Sequence, residues 1–260
     1  MKRSYTRYEL SKALQNIGIK KGMTLFLHTN IGFFGKMEDS TCIEEYPAIF
    51  LETIQNLIGE QGTICVPTFT YSFCNAEPYD ILTTASNMGV FSEYIRLHPK
   101  SIRSEDANFS IAAIGKNAEE MVKNVPEYSF GQNSFWERFL QADGMICNFN
   151  FDAGSTFVHY IEKQMCVPYR YDKEFYGKSL IQGKWEERVF YHFVRYLNKP
   201  QWDTNMSYID HIAREYQILQ SASLGRGEMN AQKSTDLFYR LKKLIEKNPF
   251  SLTLEPEERQ

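Results

Sequence analysis

Short apolar runs alternate with helical stretches along the first 165 residues, and this alternation restricts the chain to few folds. The runs are 24–28 (TLFLH), 62–67 (GTICVP), 110–114 (SIAAI) and 145–149 (MICNF). Each is short, rich in β-branched or aliphatic residues and bounded by turn residues, which reads as a buried strand. Between them, 8–17, 43–58, 88–97, 118–125 and 134–142 carry apolar residues at helical spacing. Strands alternating with helices predict an α/β fold with a central, mostly parallel sheet flanked by helices. Ligands gather outside the carboxyl ends of such strands. His28, the segment Thr68 to Thr70 and the segment Asp152 to His159 all follow predicted strand ends, so three distant segments are expected to meet in one crevice.

After Cys166 the texture changes. Residues 168–197 are rich in Tyr, Phe and charge, with a Gln182-Gly183 turn between two alternating stretches. This predicts an antiparallel hairpin, within an insert at 166–200 that contributes to a pocket. Residues 205–216 and 231–247 read as helices, the second strongly amphipathic through Leu237, Phe238, Leu241, Leu244 and Ile245. The whole of 1–260 is expected to form one domain, closing on a solvated charged tail, 255–260.

A formal charge of −3 gives none of the basic excess of a nucleic-acid binder. No apolar run approaches the roughly 18 residues of a spanning helix, and the polar start, 1–10, is unlike a signal peptide. Cys42, Cys65, Cys74, Cys147 and Cys166 form no CxxC pair. Their odd number in a long chain argues against a disulfide framework and for a reduced, cytoplasmic protein. With no His or Cys pair at ligand spacing, no metal site is expected. The oligomeric state is not legible, a homodimer being one option.

One pair stands out chemically. His159 and Glu162 lie three apart on the helix predicted after Thr156, whose hydroxyl is placed to cap it. Residues three apart share a helix face, so a carboxylate can hold the imidazole in the state that accepts a proton near neutral pH. A lone His-x-x-Glu is more often a satisfied helix histidine. His98, His192 and His211 lack an acid at useful spacing and read as structural.

The segments 24–35 (TLFLHTNIGFFG), 62–73 (GTICVPTFTYSF), 86–104 (SNMGVFSEYIRLHPKSIRS), 109–115 (FSIAAIG) and 155–162 (STFVHYIE) occur in this order, followed by SLGRG at 223–227. Together they resemble the aminoglycoside 3-N-acetyltransferase (antibiotic N-acetyltransferase) family from about residue 5 to about residue 250. The resemblance implies that family's fold and the transfer of an acetyl group from acetyl coenzyme A (acetyl-CoA) to a sugar amine. It implies His159 as general base oriented by Glu162, and contacts to the coenzyme from His28, Thr29, Asn30, Gly35, Thr68, Thr70, Arg103, Ser104 and Ser110. Tyr71, Glu93, Asp152 and Thr156 are the expected acceptor contacts. From the residues alone, Thr68 and Thr70 are equally ordinary strand-end hydroxyls and Arg103 a surface ion pair. Three stretches depart from the family pattern: Glu38-Asp39-Ser40, Glu105-Asp106-Ala107 and Asn148-Phe149-Asn150.

Two acceptor classes compete. Lys173, Lys178, Lys184 and Arg188 interleave with Tyr169, Tyr171, Tyr176 and Trp185 in the insert. That mixture favours a nucleotide-linked amino sugar, an anion, over a polycationic aminoglycoside antibiotic. A non-catalytic coenzyme A binder is the further alternative, and the intact His159–Glu162 pair speaks against it. A serine hydrolase would need a GxSxG elbow, which the sequence lacks.

Overall fold

A computed structural model describes residues 4–255; most of the predicted charged tail, 256–260, lies outside them. The strands are β1 (Ser4–Tyr5), β2 (Thr24–Thr29), β3 (Lys36–Met37), β4 (Thr63–Pro67), β5 (Tyr79–Asp80), β6 (Ile102–Arg103), β7 (Ile111–Gly115), β8 (Met145–Phe149), β9 (Arg170–Ile181), β10 (Lys184–Arg195), β11 (Gln220–Leu224) and β12 (Gly227–Lys233). The helices are α1 (Arg7–Asn16), α2 (Tyr46–Ile58), α3 (Val90–Leu97), α4 (Ala118–Val122), α5 (Phe135–Gln141), α6 (Phe157–Gln164), α7 (Met206–Glu215) and α8 (Ser234–Lys247).

Seven strands form the central sheet in the order β11-β12-β8-β2-β4-β7-β6. Its α/β character matches the sequence. Parallel pairing, however, is confined to the middle, where β2 runs parallel to both β8 and β4. The outer pairings, β12 on β8, β11 on β12, β7 on β4 and β6 on β7, are antiparallel. The hairpin of β11 and β12 was not legible. Its residues, QSASL and GEMNAQK, are poor in β-branched and aromatic side chains. Pairing along the exposed edge of β8 overrides that weak preference. The helix expected from 231 accordingly starts at Ser234.

Both faces of the sheet are covered, as strand periodicity requires. Leu25, Leu27, Ile64, Val66, Met145 and Cys147 face a core shared with α1, α2 and α3. The alternate residues Phe26, Cys65, Ala113 and Ile146 face a second core shared with α4 to α8. Because the inner strands β8, β2, β4 and β7 are buried on both faces, the carboxyl ends of β2, β4 and β8 are where the middle of the sheet meets open space. The predicted hairpin forms as β9 and β10, paired in register from Arg170↔Arg195 to Ile181↔Lys184. With β5 it makes a separate three-stranded sheet standing over that end.

Candidate active site

Three cavities lie side by side at the carboxyl ends of the central strands. The middle one, about 320 Å³, is walled by His28, Thr29, Pro67, Phe69, Tyr71, Asp152 and Thr156 among others. It shares Thr29, Met88 and Phe151 with a second cavity of about 520 Å³ beside Asn30, Gly32 and the start of α3. It shares Tyr71 and Thr156 with a third, about 550 Å³, under the hairpin, where His159, Arg170, Lys173 and Asp203 face inward. The segments expected to converge do so. Tyr71 stands at a junction with a left-handed φ of 56°, which few side-chain-bearing residues adopt.

The helix carrying His159 starts where predicted, although Thr156 makes no side-chain capping bond. Ser155 supplies the local hydroxyl instead, accepting from the Phe157 amide at 3.3 Å. Thr156 is thereby left to line the cavities. One turn on, His159 Nδ1 lies 2.8 Å from Glu162 Oε2. The imidazole is 21% exposed and the carboxylate fully buried.

Glu162 is the hub of a network that the sequence did not disclose. Its Oε1 accepts from the Tyr169 hydroxyl at 3.0 Å and from Thr204 Oγ1 at 2.6 Å. Arg170 Nε stands 2.7 Å from Oε2. Burial alone would push the Glu162 carboxyl up, but the Arg170 charge, the imidazole and the Thr204 hydroxyl outweigh it and hold the group below the usual carboxylate range. An ionised Glu162 can only accept, so Nδ1 carries the imidazole proton and Nε2 keeps its lone pair. Burial, and then the Arg170 charge, depress the His159 pKa against the pull of Glu162. The ring is therefore neutral at physiological pH, an available base. No local signal marked Tyr169, Arg170 and Thr204, since they join Glu162 only through the hairpin and the chain before α7.

Other expected residues fare differently. His28, Thr29, Asp152, Thr156 and Tyr71 line the middle cavity, and Asn30 lines the second. Thr68, Thr70, Arg103, Ser104 and Ser110 do not reach any of the three. They are buried and spend their polar groups on one another and on the backbone. Arg103 donates to Thr68 and Ser110 and to the carbonyls of Ile81 and Thr84. Thr70 donates to the Ala107 carbonyl at 2.5 Å, and Ser104 Oγ accepts from the Ile111 amide. The cluster fastens the ends of β4, β6 and β7. Arg103 is thus buried among these partners and is no surface ion pair. Gly35 ends a 3₁₀ turn away from the cavity walls. Glu93 is bound to Arg96 on its own helix, accepts the Ser86 amide and lines none of the three cavities.

His192, read as structural, does line the hairpin cavity. Both its ring nitrogens are taken, by Ser129 at 2.7 Å and Asn108 at 2.6 Å. His211 has an acid four residues on, Glu215 at 3.8 Å, but the pair is exposed. Among the described residues no cluster of ligating side chains suited to a metal ion occurs.

Residues 27–246 match the family model for aminoglycoside 3-N-acetyltransferase. The chain belongs to this family. Its members are acyl-coenzyme-A-dependent N-acyltransferases, and acetyl-CoA is the acyl donor. Curated relatives include the prophage-derived aminoglycoside N(3')-acetyltransferase-like protein YokD of Bacillus subtilis (strain 168), 22% identical over 70% of this chain and 74% of that protein. Aminoglycoside N(3)-acetyltransferase IV of Salmonella sp is 27% identical over 65% of this chain and 63% of that one. Among solved structures, aminoglycoside acetyltransferase AAC(3)-Xa superposes with a TM-score of 0.82 at 17% identity, covering 97% of this chain and 95% of its own. A binary complex of AAC-IIIb with CoASH gives 0.78 at 17% identity, covering 94% and 97%. At these identities the two structures speak for the fold.

Proposed function

We propose that the protein acetylates an amine of an aminoglycoside at the expense of acetyl-CoA, with His159 as the general base. The observation that carries this reading is the Nδ1-anchored imidazole of His159, neutral and with Nε2 free, in the cavity that adjoins the strand-end crevice. The relatives' names supply the acceptor class. Acetyl-CoA supplies an activated acetyl group. The protein's part is to receive the proton lost by the attacking amine. His159 Nε2 receives it, and Glu162 stabilises the imidazolium that results. The cavity beside Asn30, with its apolar Ile31, Tyr46, Met88 and Val90 walls, suits a flexible thiol-bearing arm. Thr29 fits the same role. Its hydroxyl is buried at the junction of two cavities without a partner, an unspent donor for an oxygen of the acyl donor. The hydroxyls of Thr68 and Thr70 are spent internally.

The preference for a nucleotide-linked acceptor rested on the charge of the hairpin, and the structure disperses that charge. Lys178 pairs with Glu187, Arg188 pairs with Glu105, and Lys184 is solvated. Trp185 and Tyr176 are exposed, and Tyr169 is buried against Glu162. Only Lys173 and Tyr171 of that set line the cavity. Asp152 and Asp203 are the acids on the cavity walls; Asp203 is paired with Arg195 and Arg170, which leaves Asp152 to meet an acceptor ammonium group.

The test is thiol release from acetyl-CoA with a panel of aminoglycosides and nucleotide amino sugars. Turnover with the first panel is expected, and His159→Ala should cut it by about 10² or more while coenzyme affinity stays near wild type. An Ala variant as fast as wild type would remove His159 from the chemistry. Turnover only with nucleotide sugars would overturn the acceptor class.

A further inference from the structure

The strand-end crevice holds a second imidazole whose surroundings differ from those of His159 in one decisive respect. His28 and Asn148 are direct partners across the parallel pair β2 and β8. His28 Nδ1 lies 2.9 Å from Asn148 Oδ1. An amide side chain can present either end, but here the choice is forced. Asn148 Nδ2 lies 2.7 Å from the Asp152 carbonyl and 3.4 Å from that of Gly154. Both partners are acceptors, so the NH₂ group must face them, and a reversed amide would set its oxygen against two carbonyl oxygens. Oδ1 is left for His28, so His28 Nδ1 carries the proton and Nε2 is unprotonated. Asn148 is fully buried and cannot turn to solvent.

The two imidazoles share a tautomer and differ in what stands behind them. Glu162 behind His159 carries a charge that offsets an imidazolium. Asn148 behind His28 carries none, and the edge-on Phe26 ring, 4.8 Å away, adds apolar surface on that side. Burial depresses the His28 pKa and outweighs the Asn148 hydrogen bond and the Asp152 carboxylate in the same cavity, which pull the other way. His159 is built to gain a proton, His28 to stay neutral. A neutral imidazole with a lone pair in a cavity walled by Pro67, Phe69, Met88 and Phe151 is an acceptor in search of a donor.

We propose that His28 Nε2 receives a hydrogen bond from an N–H of the bound substrates, and that Asn148 is the positioning residue that holds His28 in the tautomer this requires. The proposal rests on acetyl transfer at this crevice. Two N–H sources fit: an amide of the coenzyme's pantetheine arm, and the acceptor amine.

The tautomer is read first, in the unliganded wild-type protein and without any activity, from long-range ¹H–¹⁵N correlations of the ring, assigned with His28→Gln. His28 should show a protonated Nδ1 and a bare Nε2 from pH 7 to 8, and the pattern should be lost in Asn148→Leu. A protonated Nε2, or a charged ring at pH 7, overturns the proposal even if acetyl transfer is intact. Substitution then identifies the source. Glutamine reaches the Nε2 position with an oxygen and should retain most function, whereas His28→Asn, which mimics only Nδ1, leaves a buried N–H unpaired and should cost about 10- to 100-fold. If the loss is in coenzyme A affinity, measured calorimetrically without acceptor, the partner is the pantetheine amide. If coenzyme A affinity holds and the acceptor KM rises, the partner is the amine. Equal behaviour of the Gln and Asn variants in both measurements would refute the contact, whatever the state of acetyl transfer.

Discussion

Replacing Glu162 by glutamine should separate what this buried carboxylate does for stability from what it does for the chemistry. Glutamine can keep the shape of the network. Its oxygen can face His159 Nδ1 while its NH₂ faces the Tyr169 and Thr204 hydroxyls, which also accept. What it cannot supply is charge. The Arg170 side chain is 5% exposed and would lose its ion pair at 2.7 Å, keeping only Asp203 at 3.8 Å and neutral partners at Phe193 and Thr204. Breaking one side of a buried pair costs about 3–5 kcal/mol. Asp203 and the retained hydrogen bonds point to the lower end, about 3 kcal/mol. For a chain of this size each kcal/mol moves Tm by about 2–4 °C, so Tm should fall by roughly 6–12 °C. The companion variant Glu162→Gln/Arg170→Met removes the stranded charge. It leaves one carbonyl, that of Phe193, short of a donor, a loss of about 1 kcal/mol. The double variant should therefore recover at least half of the lost Tm, since a buried pair replaced on both sides is often neutral in stability. Its turnover should stay as low as that of Glu162→Gln, because nothing then offsets an imidazolium at His159. Calorimetry at pH 7.5 and thiol-release kinetics on the three proteins decide the matter. A Tm drop below about 2 °C for Glu162→Gln, or a double variant no more stable than the single, would refute the reasoning.

Two predictions concern pH. The acid limb of kcat/KM should lie below the ordinary histidine value of about 6.5, because burial and Arg170 depress the His159 pKa. Arg170→Met removes one depressing influence, so the limb should move to higher pH, and an unmoved or downward limb would contradict the electrostatic assignment. His28, His159 and His192 all have depressed pKa values in the folded state. The unfolded chain then binds more protons below about pH 6.5, so stability is full above that value and declines as pH falls, by up to about 1.4 kcal/mol per pH unit for each histidine. Urea unfolding followed from pH 7.5 to 5 should show this slope, and a flat profile would show that the rings titrate normally.

How much of the site was legible follows the range of the forces involved. The His159–Glu162 contact is local, three residues on one helix, and the sequence displayed it. The strand ends that bring His28, Thr29, Tyr71 and Asp152 together were legible because apolar runs mark buried strands and their ends mark the crevice. That Arg103 and Ser104 face their neighbours and not a cavity was not legible, because a motif shows which residues stand together and not where their polar groups point. Glu93 is a similar case, since Arg96, one turn away on its own helix, claims the carboxylate.

The sequence by itself determined the α/β class, a hairpin within 168–197 and the imidazole–carboxylate pair, which rest on periodicity, turn chemistry and spacing over a few residues. The family resemblance rests on the order of several segments along the chain. Tertiary structure alone decided the antiparallel outer strands of the sheet, the clasp of Tyr169, Arg170 and Thr204 on Glu162, the lock of Asn148 on His28, and which hairpin charges reach a cavity. Each depends on side chains brought together by chain closure, where hydrogen-bond direction and burial are set by neighbours distant in sequence.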